Sequence, residues 1–147
     1  MNEVKQNEVA SIVAIEKEMR YISVLLKQKG REILSNYTIT PPQFDALQWL
    51  HEFGDMTIGE LSTKMYLAHS TMTVLIDRME NANLVKRVKD QQDRRVVQIH
   101  ILPLGETIIQ EVIEKRQQYL KQLMEQFEVD EKAELLRLLS KLHLLMK

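Results

Sequence analysis

In one stretch of the chain apolar and other residues alternate strictly, whereas apolar residues elsewhere have the spacing of helices. In "DQQDRRVVQIHI", residues 90–101, apolar side chains occupy every second position from Val97 onward, directly after a charged run. Alternation with period two is typical of a half-buried strand, and a polar run before it is typical of a hairpin tip. Paired with "LVKRVK", residues 84–89, it predicts one β-hairpin with Arg94 and Arg95 at its tip.

Helical spacing covers the rest of the chain. Apolar residues recur at intervals of three and four, and only four glycines and three prolines interrupt 147 residues. Thr40 before "PPQ" and Thr57 three residues before Glu60 are typical helix starts. Gly30 is expected to interrupt the first helix, and Asp130 is expected to cap the last one. The predicted order is four helices, the hairpin and two more helices, which is a mainly α fold with one small β-hairpin.

The composition excludes several classes of protein. The chain has no cysteine, which excludes disulfides and thiolate metal sites and suits a reducing cytoplasm. No run approaches the roughly 18 apolar residues of a membrane helix, so we expect a soluble, cytoplasmic protein without a membrane partner. Residues 1–147 are expected to form a single domain-sized chain. Neither a phosphate-binding "GxxxxGK" nor a nucleophile elbow is present, so the chain is not expected to be an enzyme.

Positive charge is concentrated in the middle of the chain. The net charge is −1, but residues 64–95 hold seven Lys and Arg residues against four Asp and Glu residues. The fourth predicted helix lies in this segment; Asn83 is expected to close it in the left-handed conformation, and its polar side includes His69 and Arg78. Two short helices followed by a hairpin form a winged helix-turn-helix, in which the second helix enters a major groove. This arrangement favours DNA contact over a merely solvated hairpin tip.

The residues of this central segment resemble a known family. "LSTKMYLAHSTMTVLIDRMENANLVKRVKDQQDRRVVQIHILPLG", residues 61–105, is similar to the MarR family of bacterial transcriptional regulators. The similarity lies in the "STMTVLIDRME" helix, the "LVKR" strand, the "D-x-x-D-R-R" wing and a glycine twelve residues after Asp93. "TITPPQFDAL" upstream resembles a helix start of that family, so the resemblance spans nearly the whole chain.

The resemblance implies a division of the chain and a set of DNA contacts. Residues 38–102 would form the DNA-binding part, and residues 1–35 and 104–147 would form dimerisation helices. Backbone N–H groups at two helix starts would face phosphates. One wing arginine would enter the minor groove and the other would pair with Asp93, an assignment that the sequence leaves open. The implied DNA-contacting residues are Thr40, Thr57, His69, Ser70, Thr71, Thr73, Arg78, Arg94 and Arg95.

Several positions depart from the pattern of the family. Ala68 stands where a capping serine is frequent, and loss of such a cap typically costs about 1 kcal/mol. Val74 stands where an arginine or another polar residue is frequent. Tyr66 and Asn83 stand where turn glycines are common. These differences bear on the DNA sequence that is read, and they leave the class of protein unchanged.

The last predicted helix is apolar on more than one side, which favours self-association, most simply as a two-fold homodimer. The expected dimerisation residues are Ile12, Ile15, Leu135, Leu138, Leu139, Leu142 and Leu145. Relatives often bind small aromatic or amphipathic effectors between the dimerisation and DNA-binding parts. The residues that could line such a cleft, or alternatively pack into a continuous core, are Met19, Tyr21, Ile22 and Phe44.

The sequence predicts no cofactor and no metal site. No two histidines have the i, i+4 spacing of a helical metal site, although folding could bring His51 and His100 together. The preferred interpretation is a dimeric repressor that binds double-stranded DNA at pseudo-palindromic operators and is released by a small-molecule effector. The alternatives are a winged-helix module that binds protein and a metal-responsive regulator of the same fold.

Overall fold

The computed structural model describes residues 2–147, which form one compact unit ending at Val112 and a second unit from Ile113 to Lys147. Among these residues no helix has both the length and the apolar character needed to cross a membrane. The helices are α1 (Asn2–Leu34), α2 (Pro41–Phe53), α3 (Ile58–Met65), α4 (His69–Asn81), α5 (Pro103–Leu123) and α6 (Val129–Met146), with a 3₁₀ turn at Met124–Gln126. The strands are β1 (Met56–Thr57), β2 (Val85–Lys89) and β3 (Val97–Ile101).

The predicted hairpin is part of a three-stranded antiparallel sheet with the order β1–β3–β2. Strand β3 pairs with β2 from Val85 opposite Ile101 to Lys89 opposite Val97. On its other edge it pairs with β1, with Met56 opposite Ile99. The predicted hairpin is confirmed, and β1 is a third strand that the sequence did not predict, because a two-residue strand is too short to show alternation.

Local capping explains where the helices begin and end. Before α2, the Thr40 hydroxyl accepts from the backbone N–H of Gln43, whose side chain accepts in return from the Thr40 N–H, which is a complete capping box. Ala68 precedes α4 without any side-chain cap, as the sequence predicted. Asn83 has φ +60° and turns the chain from α4 toward β2, also as predicted.

Two expectations about helix ends were wrong. Helix α1 continues through Gly30 to Leu34 without a break, because the roughly 1 kcal/mol cost of one glycine is small in a long helix. Helix α6 begins one residue before Asp130, and the residue preceding the helix is Glu128. The backbone N–H of Glu128 donates to the Glu131 carboxylate at 2.8 Å. The capping residue is therefore Glu128, two residues before the expected Asp130.

The core of the first unit lies where α2, α3, α4 and α5 meet the sheet. Burial of each large apolar side chain in such a core contributes about 1.5–3 kcal/mol. This packing fixes α4 and the hairpin in one body. The largest of the fully buried side chains are Leu47, Leu50, Leu61, Met72, Ile76, Met79, Leu84, Val85, Ile99, Ile109 and Val112.

Candidate nucleic-acid interface

Helix α4 buries one side and leaves the other open to solvent. Met72, Ile76 and Met79 are fully buried and anchor the helix. The opposite side exposes polar groups that can meet base edges and phosphates: His69, Ser70, Thr71 and Arg78. Thr73 is half-buried, and its hydroxyl donates to the carbonyl of His69 at 3.0 Å. The hydroxyl proton of Thr73 is therefore engaged within the helix.

Arg87 ties α4 to the hairpin. Its guanidinium donates to the Asp77 carboxylate at 2.6 Å and to the Glu80 carboxylate at 2.8 Å, and its backbone N–H donates to Glu80 at 3.0 Å. Burial by itself would lower the pKa of Arg87, but the hydrogen bonds to Asp77 and Glu80 outweigh it and raise the pKa. Arg87 is not among the residues that the sequence predicted to be functional, although two carboxylates three residues apart before a basic strand are a signal for such a pairing.

The two arginines of the hairpin tip are in different situations. Arg95 donates from Nε and Nη2 to the Asp93 carboxylate at 3.2 and 3.4 Å, and its backbone N–H donates to the same carboxylate at 3.1 Å. Its side chain is nevertheless 92% exposed. The Arg95 side chain lowers the pKa of Asp93 through the hydrogen bond, with help from the backbone N–H. Arg94 is exposed and forms no ion pair within residues 2–147.

The two other predicted contact sites lie at helix starts. Residues Pro41 and Pro42 have no N–H, and the next two N–H groups of α2 are bonded to the side chain and the carbonyl of Thr40. The expectation that α2 offers backbone donors to phosphate was therefore wrong. At α3 the Thr57 hydroxyl accepts from the N–H of Glu60, at 3.1 Å.

The residues expected to line an effector cleft do not share one surface. Met19 and Tyr21 line an open groove along α1, and Ile22 is exposed on the same helix. Phe44 is only 5% exposed and belongs to the core of the first unit, so it is not available to that groove. The alternative of core packing thus holds for Phe44, and the other three remain accessible in the single chain.

The expected dimerisation residues are largely exposed in the single chain. Ile12 and Ile15 of α1 are 65% and 53% exposed, and α6 buries none of its residues. Leu135 is half-buried. The remaining leucines of the set, Leu138, Leu139, Leu142 and Leu145, are 39–74% exposed.

His51 and His100 are engaged by different carboxylates. His51 Nδ1 lies 2.5 Å from Glu106 Oε1, and His100 Nδ1 lies 2.7 Å from Asp55 Oδ1. No group of three or more His, Asp or Glu side chains in the described chain could hold a metal ion. In the described chain the two histidines therefore have separate carboxylate partners.

The second helix of the α3–α4 pair presents polar groups, and the hairpin that follows it carries two exposed arginines. This arrangement defines a winged helix-turn-helix DNA-binding protein. The MarR family model matches residues 39–97. The chain belongs to the MarR family and is a DNA-binding transcriptional regulator, a class without enzymatic activity.

Individual relatives support this assignment. The chain is 65% identical over 122 residues to the uncharacterized HTH-type transcriptional regulator YsmB of Bacillus subtilis, covering 83% of this chain and 84% of YsmB. A MarR family protein from Bacillus stearothermophilus has a solved structure with a TM-score of 0.89 and 57% identity, covering 92% of this chain and 95% of that one. The transcriptional repressor MdtR of Bacillus subtilis is 29% identical over 85 residues, covering 58% of this chain and 55% of MdtR.

Proposed function

We propose that the protein is a homodimeric repressor that binds pseudo-palindromic operators and is released by a small-molecule effector. The observation that carries the proposal is α4, which exposes polar groups beside a hairpin with two exposed arginines. MdtR, which is named a repressor, supports the direction of regulation. In this proposal residues 38–102 bind DNA in the cytoplasm, and residues 1–35 and 104–147 supply the dimer contacts.

The exposed apolar sides of α1 and α6 support the dimer. Most of the stability of a helix in a protein comes from the packing of its apolar side, and α6 buries none of its 18 residues within the chain. A second copy of the same chain is the commonest cover for such a surface. Two copies would place two α4 helices on one duplex about 34 Å apart, which is why a two-fold symmetric operator is expected.

Each DNA contact has a proposed role. The exposed start of α4, with His69, Ser70 and Thr71, would meet base edges, and Arg78 would meet a phosphate or a base. Thr73 would contribute through its methyl group and oxygen, because its proton is bonded within the helix. Thr57 would mark a phosphate contact at the start of α3, and Thr40 would reach phosphate only through its own side chain.

The sequence divided two roles between the wing arginines, but the geometry of the tip favours Arg95 for both the pair with Asp93 and the minor groove. Asp93 holds the Arg95 guanidinium in one orientation while leaving it 92% exposed. A side chain that is ordered before binding loses less conformational entropy on binding, and a narrow minor groove attracts arginine. Arg94, which has no partner among the described residues, would then meet the phosphate backbone.

Fluorescence anisotropy tests DNA binding with the promoter of the protein's own gene and a shuffled duplex at several salt concentrations. Wild-type protein should bind the promoter much more tightly, with a steep dependence on salt. Arg94→Ala should weaken binding to both duplexes equally and reduce the salt slope by about 2, because the dimer loses one phosphate contact in each subunit. Arg95→Ala should instead reduce discrimination between the two duplexes. Arg137→Ala on α6 is the matched control. Absence of binding to either duplex at low salt would favour the protein-binding alternative.

Light scattering during size-exclusion chromatography tests the dimer. Wild-type protein should elute with the mass of two chains, and Leu142→Glu should shift it toward one, because a carboxylate would be buried without a partner. Phe53→Glu is the matched control, since Phe53 is exposed on α2 outside the proposed interface. A wild-type protein that remains monomeric at micromolar concentration would contradict the proposal.

Thermal unfolding with and without operator DNA tests the effector. A ligand shifts the equilibrium between free and bound protein only if it binds the two forms with different affinity. A true effector should therefore stabilise the free protein more than the DNA complex. Equal stabilisation of both forms by every candidate would contradict release by an effector, including one held by Met19, Tyr21 and Ile22.

A further inference from the structure

Tyr66, in the turn between α3 and α4, has an unfavourable backbone conformation. Its φ is +55° and its ψ is 40°, in the left-handed region. Within residues 2–147 the only other non-glycine residue with positive φ is Asn83. Asparagine tolerates this region, but a bulky side chain does so only at a cost in free energy. A glycine at position 66 would close α3 equally well, because the closing bonds come from the backbone N–H to Ser62 and Thr63.

No contact within the described chain compensates for that cost. The Tyr66 residue is 95% exposed, so burial contributes almost nothing. Its hydroxyl has no hydrogen-bond partner among residues 2–147, and its ring contacts neither an aromatic ring nor a cation there. Because the fold gains nothing from this strained residue, its side chain is a candidate for contact with a binding partner.

The position of Tyr66 points to DNA. It lies two residues before Ala68, which leaves the start of α4 without a side-chain cap. In a helix-turn-helix, the start of the second helix lies against base edges and the neighbouring backbone of the duplex. A tyrosine hydroxyl is one of the groups that donate to phosphate oxygens and fix the register of a protein on DNA.

We propose that Tyr66 is a DNA-contacting residue whose hydroxyl donates a hydrogen bond to a phosphate beside the bases that α4 reads. The strained turn then holds the phenol in solvent, ready for that contact. The inference rests on the proposed role of α4 as the recognition helix. Because phosphate contacts carry no sequence information, Tyr66 would strengthen binding to promoter and shuffled duplexes alike.

Two substitutions separate the phenol from the strained backbone. Tyr66→Phe removes only the hydroxyl and should weaken binding to both duplexes by roughly 10–100-fold, because the dimer loses one hydrogen bond at each half-site, with the urea midpoint unchanged. Tyr66→Gly removes the whole side chain and relieves the left-handed strain. It should weaken binding at least as much while leaving the midpoint unchanged or higher. Tyr37→Phe is the control, because the Tyr37 hydroxyl is bonded inside the protein to Glu111 at 2.9 Å.

The outcomes distinguish this inference from the proposed function. Wild-type affinity in Tyr66→Phe and Tyr66→Gly would overturn the role of Tyr66 alone, provided that Ser70→Ala still weakens promoter binding. A Tyr66→Gly variant that loses both midpoint and affinity would also overturn it, because Tyr66 would then be structural. If wild-type protein binds no duplex, even from a randomised library, the proposed function fails and this inference fails with it.

Discussion

Replacement of Gly105 by alanine is the substitution whose effect follows most directly from the structure. A Cβ atom at this position would lie 2.5 Å from the carbonyl oxygen of Leu84, 3.0 Å from Cγ1 of Ile101 and 3.1 Å from Cδ2 of Leu47. Close C···O contacts in proteins are about 3.3 Å or longer. The Leu84 carbonyl would have to retreat, and it also accepts the N–H of Leu102 at 2.9 Å.

Three effects set the size of the change in the free energy of unfolding. Overpacking against backbone costs about 1–3 kcal/mol, and weakening the hydrogen bond to the Leu84 carbonyl costs about 1 kcal/mol. The better helix propensity of alanine offsets about 1 kcal/mol. We therefore expect Gly105→Ala to lower the free energy of unfolding by about 2 kcal/mol and Tm by roughly 4–8 °C.

Urea unfolding followed by circular dichroism at one fixed protein concentration measures this change, since association would make stability depend on concentration. Gly30→Ala and Gly59→Ala are matched controls. Both glycines are helical, with nothing within 4 Å of a Cβ at Gly30 and only Thr57 Oγ1 at 3.8 Å from one at Gly59. Both controls should be unchanged or more stable by up to about 1 kcal/mol. A Gly105→Ala protein as stable as these controls would refute the steric argument.

Three further predictions concern single side chains. Arg87→Met should lower the free energy of unfolding in urea by about 1–2 kcal/mol, because it breaks the charged hydrogen bonds that link α4 to β2. The control Arg137→Met breaks an exposed pair and should change that free energy by no more than about 0.5 kcal/mol. Equal losses in the two variants would contradict this prediction. Thr40→Ala should cost about 1 kcal/mol by removing the cap of α2, and an unchanged midpoint would count against the capping box. The hydrogen bonds from Arg95 lower the pKa of Asp93 below its ordinary value of 3.8, so the pair is intact above 3.8 and is lost as the pH falls through the lowered pKa. An NMR titration should place the Asp93 midpoint below 3.8. A midpoint that Arg95→Ala leaves unmoved would exclude the pair as the cause of the shift.

Much of α4 and its surroundings could be predicted from spacing. Met72, Ile76 and Met79 recur at intervals of three and four, which determines that they share one side of a helix, and all three are fully buried. The uncapped start at Ala68 and the left-handed Asn83 also followed from residue type at a helix end. These features depend on residues within about four positions of each other.

Other features could not be predicted because they depend on distant partners. Strand β1 exists only because β3, some forty residues later, pairs with it. The pairing of Arg87 with Asp77 and Glu80 requires α4 and β2 to pack together. The exclusion of Phe44 from the groove on α1 likewise follows from the packing of the core.

The sequence by itself determined the order of the six helices and the hairpin, the buried side of α4, the family resemblance and the presence of two arginines at the hairpin tip. The tertiary structure decided that Arg95 rather than Arg94 pairs with Asp93, and that Tyr66 is strained and exposed. The physical reason is one of range. Periodicity and capping act between neighbours in the chain, whereas pairing, exposure and strain depend on where the folded backbone directs each side chain.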